Sequence, residues 1–256
     1  MARRKYEFVG APVRVMDVPA VRHAPAVRFR LGEEYTDAQL ENMHVRMIRR
    51  ISDGAVGGWI ESTYNLAHSG SCWVDDNALV VGRARVADDA RVCDFAVVFG
   101  AARVLDNAVV AGNAVVSHTA RVFGDAHVRE NAWVRENGRV AGYTQVGGQA
   151  VVGRNAYVIG ATQLSGSVRV FNARLIDFDI SGDYLVTTVQ RVVGWSPAAD
   201  IQKLRITAQP LFAAQPLIPP EAFAQAPEDK AVAPRFGTAH RRPRRISRKR
   251  GTPDGC

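Results

Sequence analysis

Four arginines recur at intervals of eighteen residues, Arg85, Arg103, Arg121 and Arg139, and two histidines, His118 and His127, lie among them. Guanidinium groups present fixed N–H forks to phosphate or carboxylate oxygens. Imidazole titrates near neutral pH and suits proton transfer. Such arginines would hold an anionic partner, such as a phosphorylated ligand or a carboxylated surface. The competing reading is neutralisation by acidic residues at bends, Asp88, Asp89, Asp106 and Asp125. Residues 72–194 hold 12 arginines and 12 carboxylates, a balance that favours neutralisation. No His/Cys/Asp cluster has zinc-like spacing, and no Ser-His-Asp order is identifiable. The glycines of GYTQVGGQ satisfy turn geometry and imply no nucleotide loop.

These residues are carried by a repeat. An aliphatic residue recurs every six positions from Val74 to Ile176, 18 positions in all. Two residues before most of them stands a small residue, such as Ala78, Ala84, Ala90, Ala102, Ala120 and Ala126. Pairs such as Asp106-Asn107, Gly112-Asn113 and Glu130-Asn131 lie between units. An even period matches strand alternation, not a helix of 3.6 residues per turn. Each unit therefore predicts a short strand and a bend, with valine and alanine both inward and the alanine small because walls converge at a corner. A solenoid has open ends. KYEFVG and AVRFRL are predicted as strands of an N-terminal α+β cap over 1–71. TDAQLENMHVRMIRRIS is predicted as a helix, with Thr36 as N-cap and Gln39 completing a capping box. Leu40, Met43, Met47, Ile48 and Ile51 would line its core face, and Trp59, Ile60, Trp73 and Val74 the junction. The repeat is assigned to 72–178 and a closing strand to 179–194.

The six-residue pattern resembles the hexapeptide repeat of left-handed parallel β-helix proteins, a superfamily dominated by acyltransferases with acyl-CoA or acyl-carrier-protein donors. The stretch GGWIESTYNLAHSGSCWVDDNALV is similar to the YdcK-like transferases, a bacterial and phage-associated group. The resemblance implies an all-β solenoid: a single-stranded left-handed parallel β-helix of about six triangular coils, ~29 Å long at ~4.8 Å per coil. Three hexapeptides per coil would then stack every eighteenth residue in one column and sort outward side chains into three walls. Wall one carries Leu79, Val81, Val97, Phe99, Val115, Trp133, Val151 and Phe171, with Arg135 the main exception. It is too apolar to face water alone, so it is expected to be a homotrimer interface, with docking of an end module as the rival. Wall two carries the arginine column. Wall three carries Arg91, Cys93, His127, Arg129, Gln145 and Gln163. In such acyltransferases a histidine at the subunit boundary is the general base on the acceptor, which points to His118 or His127. The implied donor is acyl-CoA, with no covalently bound cofactor and no metal. The absence of a loop interrupting the repeat supports the alternative, a non-catalytic scaffold or assembly rod of phage-derived origin.

Composition sets outer limits. The 256 residues carry a net charge of +8 and are 47% hydrophobic, enough for a substantial core. Residues 195–256 hold 11 Lys/Arg against 5 Asp/Glu and nine of the 12 prolines. They are expected to form a disordered basic tail, the one place for a nucleic-acid contact. No apolar run reaches the roughly 20 residues of a membrane helix. MARRKYEF lacks a hydrophobic signal region, and three cysteines make no disulfide framework, so a cytoplasmic setting is expected.

Overall fold

The computed structural model describes residues 4–187 and the strand Val192–Val193; the tail over 195–256 lies outside the described residues. From Val56 onward the chain climbs as a parallel β-solenoid with three walls. In the regular part each two-residue strand pairs with the strand eighteen residues ahead, as in Arg103↔Arg121 and Val104↔Val122. The valines at six-residue steps and the alanines two before them are fully buried, Ala120, Val122, Ala126 and Val128 among them. The corners are set by the backbone. Every sixth residue from Asp76 to Asn172 has a φ between +51° and +83°. That left-handed geometry costs an L-residue about 1–2 kcal/mol. At Gly124 the cost is avoided, and a Cβ there would lie 2.9 Å from the backbone nitrogen of Gly142 in the next coil. At acidic corners the side chain offsets it: Asp94 accepts from the Gly112 N–H at 2.8 Å and Asp106 from the Gly124 N–H at 2.9 Å. Glu130 does the same for Gly148.

Two of the three walls have seven strands, so the solenoid has about seven turns, not six. The extra length lies at both ends. GGWI forms the strand Val56–Ile60, whose Trp59 and Ile60 pair in parallel with Leu79 and Val80. Cβ atoms on Gly57 and Gly58 would lie 2.4 Å from the Val74 carbonyl oxygen and 2.6 Å from that of Ala78, so this strand approaches the first coil as only glycine permits. At the far end, 179–194 does not close the prism as one strand. Asp179–Gly182, Leu185–Thr187 and Val192–Val193 each add in parallel to one wall. The repeat also loses its six-residue step after Val170. Val158 pairs with Leu175, and Leu164 with Ile180. Leu175, not Ile176, points inward, because Ala173 fits the corner two residues before it and Arg174 could not.

The N-terminal segment begins with β1 (Tyr6–Arg14) and one 3-10 turn (Val15–Asp17). Then follow α1 (Pro19–Arg22), α2 (Pro25–Gly32), α3 (Asp37–Asn42), β2 (His44–Arg50) and β3, the Val56–Ile60 strand. AVRFRL is thus helical: Pro25 occupies the first turn, and the buried Val27 and Leu31 are four residues apart on one face. The Thr36–Gln39 capping box is present. Its helix ends at Asn42, however, and Met47 and Ile48 lie on β2, antiparallel to both β1 and β3. Tyr6 and Ile48 cover the bottom of the valine core. Tyr6 donates to the Leu66 carbonyl at 3.0 Å, and burial pushes its phenol up to about 12. His68 stacks on Tyr6 at 4.5 Å and accepts from the Lys5 N–H.

Two outcomes follow. Ala126→Leu should lower unfolding stability by about 1–3 kcal/mol in urea melts, because the corner has no room for the branch; an unchanged midpoint would contradict the inward corner. Burial, with Lys5 and Arg4 adding repulsion, holds the His68 imidazole below its ordinary range. The folded state then binds fewer protons than the unfolded chain, so stability falls as pH drops below about 6.5. His68→Gln should flatten that part of the stability–pH curve; an identical curve would contradict the assignment.

Candidate functional site

Wall two assembles as the eighteen-residue interval implies. Arg85, Arg103, Arg121 and Arg139 are successive Cα partners, and Tyr157 and Arg174 continue the row. Arg103, Arg121 and Arg139 are exposed; Arg85 is half-buried, with its guanidinium 5.4 Å from the Tyr64 ring. Neighbouring charges ~4.8 Å apart repel by about 1 kcal/mol even in water. The acidic bend residues do not neutralise them. Asp88 and Asp106 are turned to backbone N–H groups of the next coil, Asp89 to Ser71, and Asp125 to Asn107. The bonds from the Ser71 N–H and hydroxyl hold the Asp89 carboxyl below the usual range. Among the described residues, Arg103, Arg121 and Arg139 have no ion pair. Among the described residues this allocation does not favour neutralisation: the carboxylates serve the corners, and none lies within ion-pair distance of Arg103, Arg121 or Arg139.

Beside this row lies a cavity of about 490 Å³ lined by Thr119, Arg121, Asn137, Arg139, Asn155 and Tyr157. Thr119, Asn137 and Asn155 share one corner, eighteen residues apart. The Thr119 hydroxyl lies 2.5 Å from Asn137 Oδ1, Asn137 Nδ2 donates to Asn155 Oδ1 at 3.2 Å, and Asn155 Nδ2 donates to Asn172 Oδ1 at 3.4 Å. These polar residues were not singled out from sequence, although the interval that marks the arginines marks them too.

His118 precedes Thr119 at the same corner, in left-handed geometry with φ +60°. Its Nδ1 lies 3.0 Å from Ser117 Oγ, which accepts from Trp133 Nε1 at 2.9 Å. Indole only donates, so Ser117 Oγ keeps its hydrogen and one lone pair for His118 Nδ1. With the hydroxyl donating to Nδ1, the neutral ring carries its proton on Nε2. Glu34 accepts from the His118 backbone N–H at 3.2 Å, with Oε2 3.9 Å from Nδ1. Proton uptake at Nε2 requires the ring proton to shift to Nδ1, where Ser117 Oγ has a second lone pair and Glu34 stands by. Neither Ser117 nor Glu34 carried a sequence signal. His127 is exposed on wall three between Val109 and Gln145, on a different wall from the cavity. The structure does not bring the two histidines together.

Wall one is covered by the chain's own N-terminal segment. Leu79, Val81, Val97, Phe99, Val115, Trp133 and Val151 are buried in one cluster with Val15, Val21, Val27, Leu31 and Leu40 of the chain's own N-terminal segment, and Phe171 packs at its edge. Trp133 lies between the guanidiniums of Arg30 and Arg135, 4.9 and 4.2 Å from its ring. Glu33 pairs with Arg135 at 2.9 Å, and burial pushes Arg30 down to about 10. The rival reading, docking of an end module, is the one the structure contains.

A parallel solenoid with a six-residue step, alanine at the corners and left-handed bends makes this chain a hexapeptide-repeat β-solenoid protein. Over 78 residues it is 35% identical to a protein of Escherichia coli (strain K12) described as "Uncharacterized acetyltransferase YdcK". The similarity covers 25% of this chain and 24% of that protein, so the chain matches about a quarter of its relative's length. No family model matches the chain.

Ser117→Ala should release the His118 ring. In nitrogen-15 NMR the neutral imidazole should shift from the Nε2–H form toward a mixture, and the unpartnered Trp133 N–H should cost about 1–3 kcal/mol of stability. An unchanged tautomer would contradict the hydrogen-bond chain.

Proposed function

We propose that the protein is an acyl-CoA-dependent acyltransferase working on wall two. The observation that carries this reading is the row of arginines without carboxylate partners among the described residues, beside a polar cavity and close in sequence to His118. Arg85 and Arg103 hold the donor's phosphates, and the cavity holds the acceptor. The acceptor oxygen or nitrogen attacks the thioester carbon, the C–S bond breaks, and CoA leaves as the thiol. His118, in its Nδ1–H form, takes the acceptor proton at Nε2 and returns it to the departing sulfur; Glu34 favours the imidazolium between the two steps. His127 has no cavity beside it and is left outside this scheme. A scaffold function is the second reading, favoured by a repeat that runs from Val74 to Val170 without an inserted loop.

Ligand-dependent melting separates the two. CoA and acetyl-CoA should raise the melting temperature, with about 2.7 kcal/mol of stabilisation at a hundredfold excess over Kd. Arg85→Gln and Arg103→Gln should each weaken CoA about tenfold through loss of a charge-assisted bond. His118→Gln should lower turnover by about 10²-fold or more with little change in CoA affinity. No thermal shift at millimolar ligand would overturn the transferase reading in favour of the scaffold.

A further inference from the structure

The wall-two cavity carries information about what it admits. Two of its six described lining residues are guanidiniums on adjacent coils, Arg121 and Arg139, which are direct Cα partners without an ion pair among the described residues. No acidic side chain is among those described lining residues. It therefore favours a ligand with one compact anionic group placed between two forks. The remaining lining residues are not those of a simple anion site. Asn137 and Asn155 each use one N–H in the corner ladder. An amide has two N–H donors and two lone pairs on oxygen, so each retains donor and acceptor capacity in the cavity wall. Paired donor–acceptor groups of this kind match hydroxyls, which both give and take a hydrogen bond. Tyr157 is half-buried, with the Arg174 guanidinium 5.4 Å from its ring, and adds an aromatic surface to the same cavity. A volume of about 490 Å³ lies in the range of small-molecule sites.

We propose that this cavity binds a carboxylated sugar. Its carboxylate bridges Arg121 and Arg139, its hydroxyls bond Asn137 and Asn155, and its ring lies against Tyr157. That this sugar is the acceptor rests on the transferase reading above; that it binds does not. The position is consistent with the acceptor role, because Thr119 in the cavity wall directly follows His118 in the chain. A sugar hydroxyl at that rim would be the group that loses its proton and takes the acyl carbon.

Calorimetric titration of the full chain with D-galacturonate, D-galactose and glutarate tests the proposal. Galacturonate should bind at least about tenfold more tightly than galactose, which lacks the charge, and than glutarate, which lacks the hydroxyls. Arg121→Gln and Arg139→Gln should each weaken galacturonate about tenfold, and Asn155→Ala several-fold. Arg129→Gln, on wall three, should leave it unchanged. Circular dichroism melts of the same variants check that each is folded, as exposed positions predict. Equal binding of galactose or glutarate, no binding of galacturonate, or an undiminished affinity in the folded Arg121 and Arg139 variants would overturn the proposal. CoA titrated into the same samples separates the two readings. CoA binding without galacturonate binding removes the sugar and leaves the transferase. Galacturonate binding without CoA binding removes the transferase and leaves the sugar site.

Discussion

The structure depends on one backbone constraint: a left-handed residue at every sixth position. That residue turns the chain through a corner after a strand of only two or three residues, so that each wall meets the wall below in register. Strand hydrogen bonds then run from coil to coil, as from the Arg103 N–H to the Ala120 carbonyl at 2.9 Å and from the Val109 N–H to that of Ala126 at 2.9 Å. The valines stack inside because the coils stack, and the alanines are small because the corner is narrow. The same constraint explains where the carboxylates go. An acidic residue in left-handed geometry turns its side chain to the corner N–H of the next coil and not to the arginine row.

Much of this was legible in the chain. The even period, the small residue two places before each aliphatic one, and the bend formers between them define strand, corner and inward face together. The eighteen-residue arginine interval correctly anticipated a column, once three units per coil were taken from the resemblance. The rule also contained its own exception. Ile176 continues the count of six, but Arg174 stands two before it, while Ala173 stands two before Leu175; the corner requirement outranks the count. The N-terminal segment was less legible because its elements are short and held by the solenoid. Met47 and Ile48 fit a helical stripe as well as a strand, and pairing of β2 with β1 and β3 decided for the strand. Val27 and Leu31 after Pro25 were a helix signal outweighed by the β-forming content of AVRFRL.

The three walls have different fates although one repeat builds them. Wall one, the most apolar, is taken by the chain's own helices, and that docking carries Glu34 and Tyr35 to the first corner. There Glu34 meets the His118 N–H, Tyr35 Oη the Gly100 N–H at 3.1 Å, and Glu61 the Gly82 N–H at 2.6 Å. At the acidic corners the coil below supplies that acceptor; for Gly100 and His118, which follow glycine corners, the N-terminal segment supplies it. The covering of wall one and the positioning of His118 are therefore one arrangement. The candidate site could not be assembled from the repeat alone, because Glu34 reaches it from 84 residues away in sequence. Wall two carries arginines without ion pairs among the described residues and a corner lined by amides, and the proposed ligand site lies there.

The stacking itself is open to direct measurement. Scalar couplings across hydrogen bonds, read by NMR on labelled protein, report which amide nitrogen is bonded to which carbonyl carbon. The account predicts couplings from Arg103 to Ala120, Val109 to Ala126 and Val115 to Ala132, each seventeen residues ahead, with the interval shortening to sixteen between Tyr157 and Ala173. Couplings to carbonyls four residues back, or an unshortened interval at Tyr157, would contradict it.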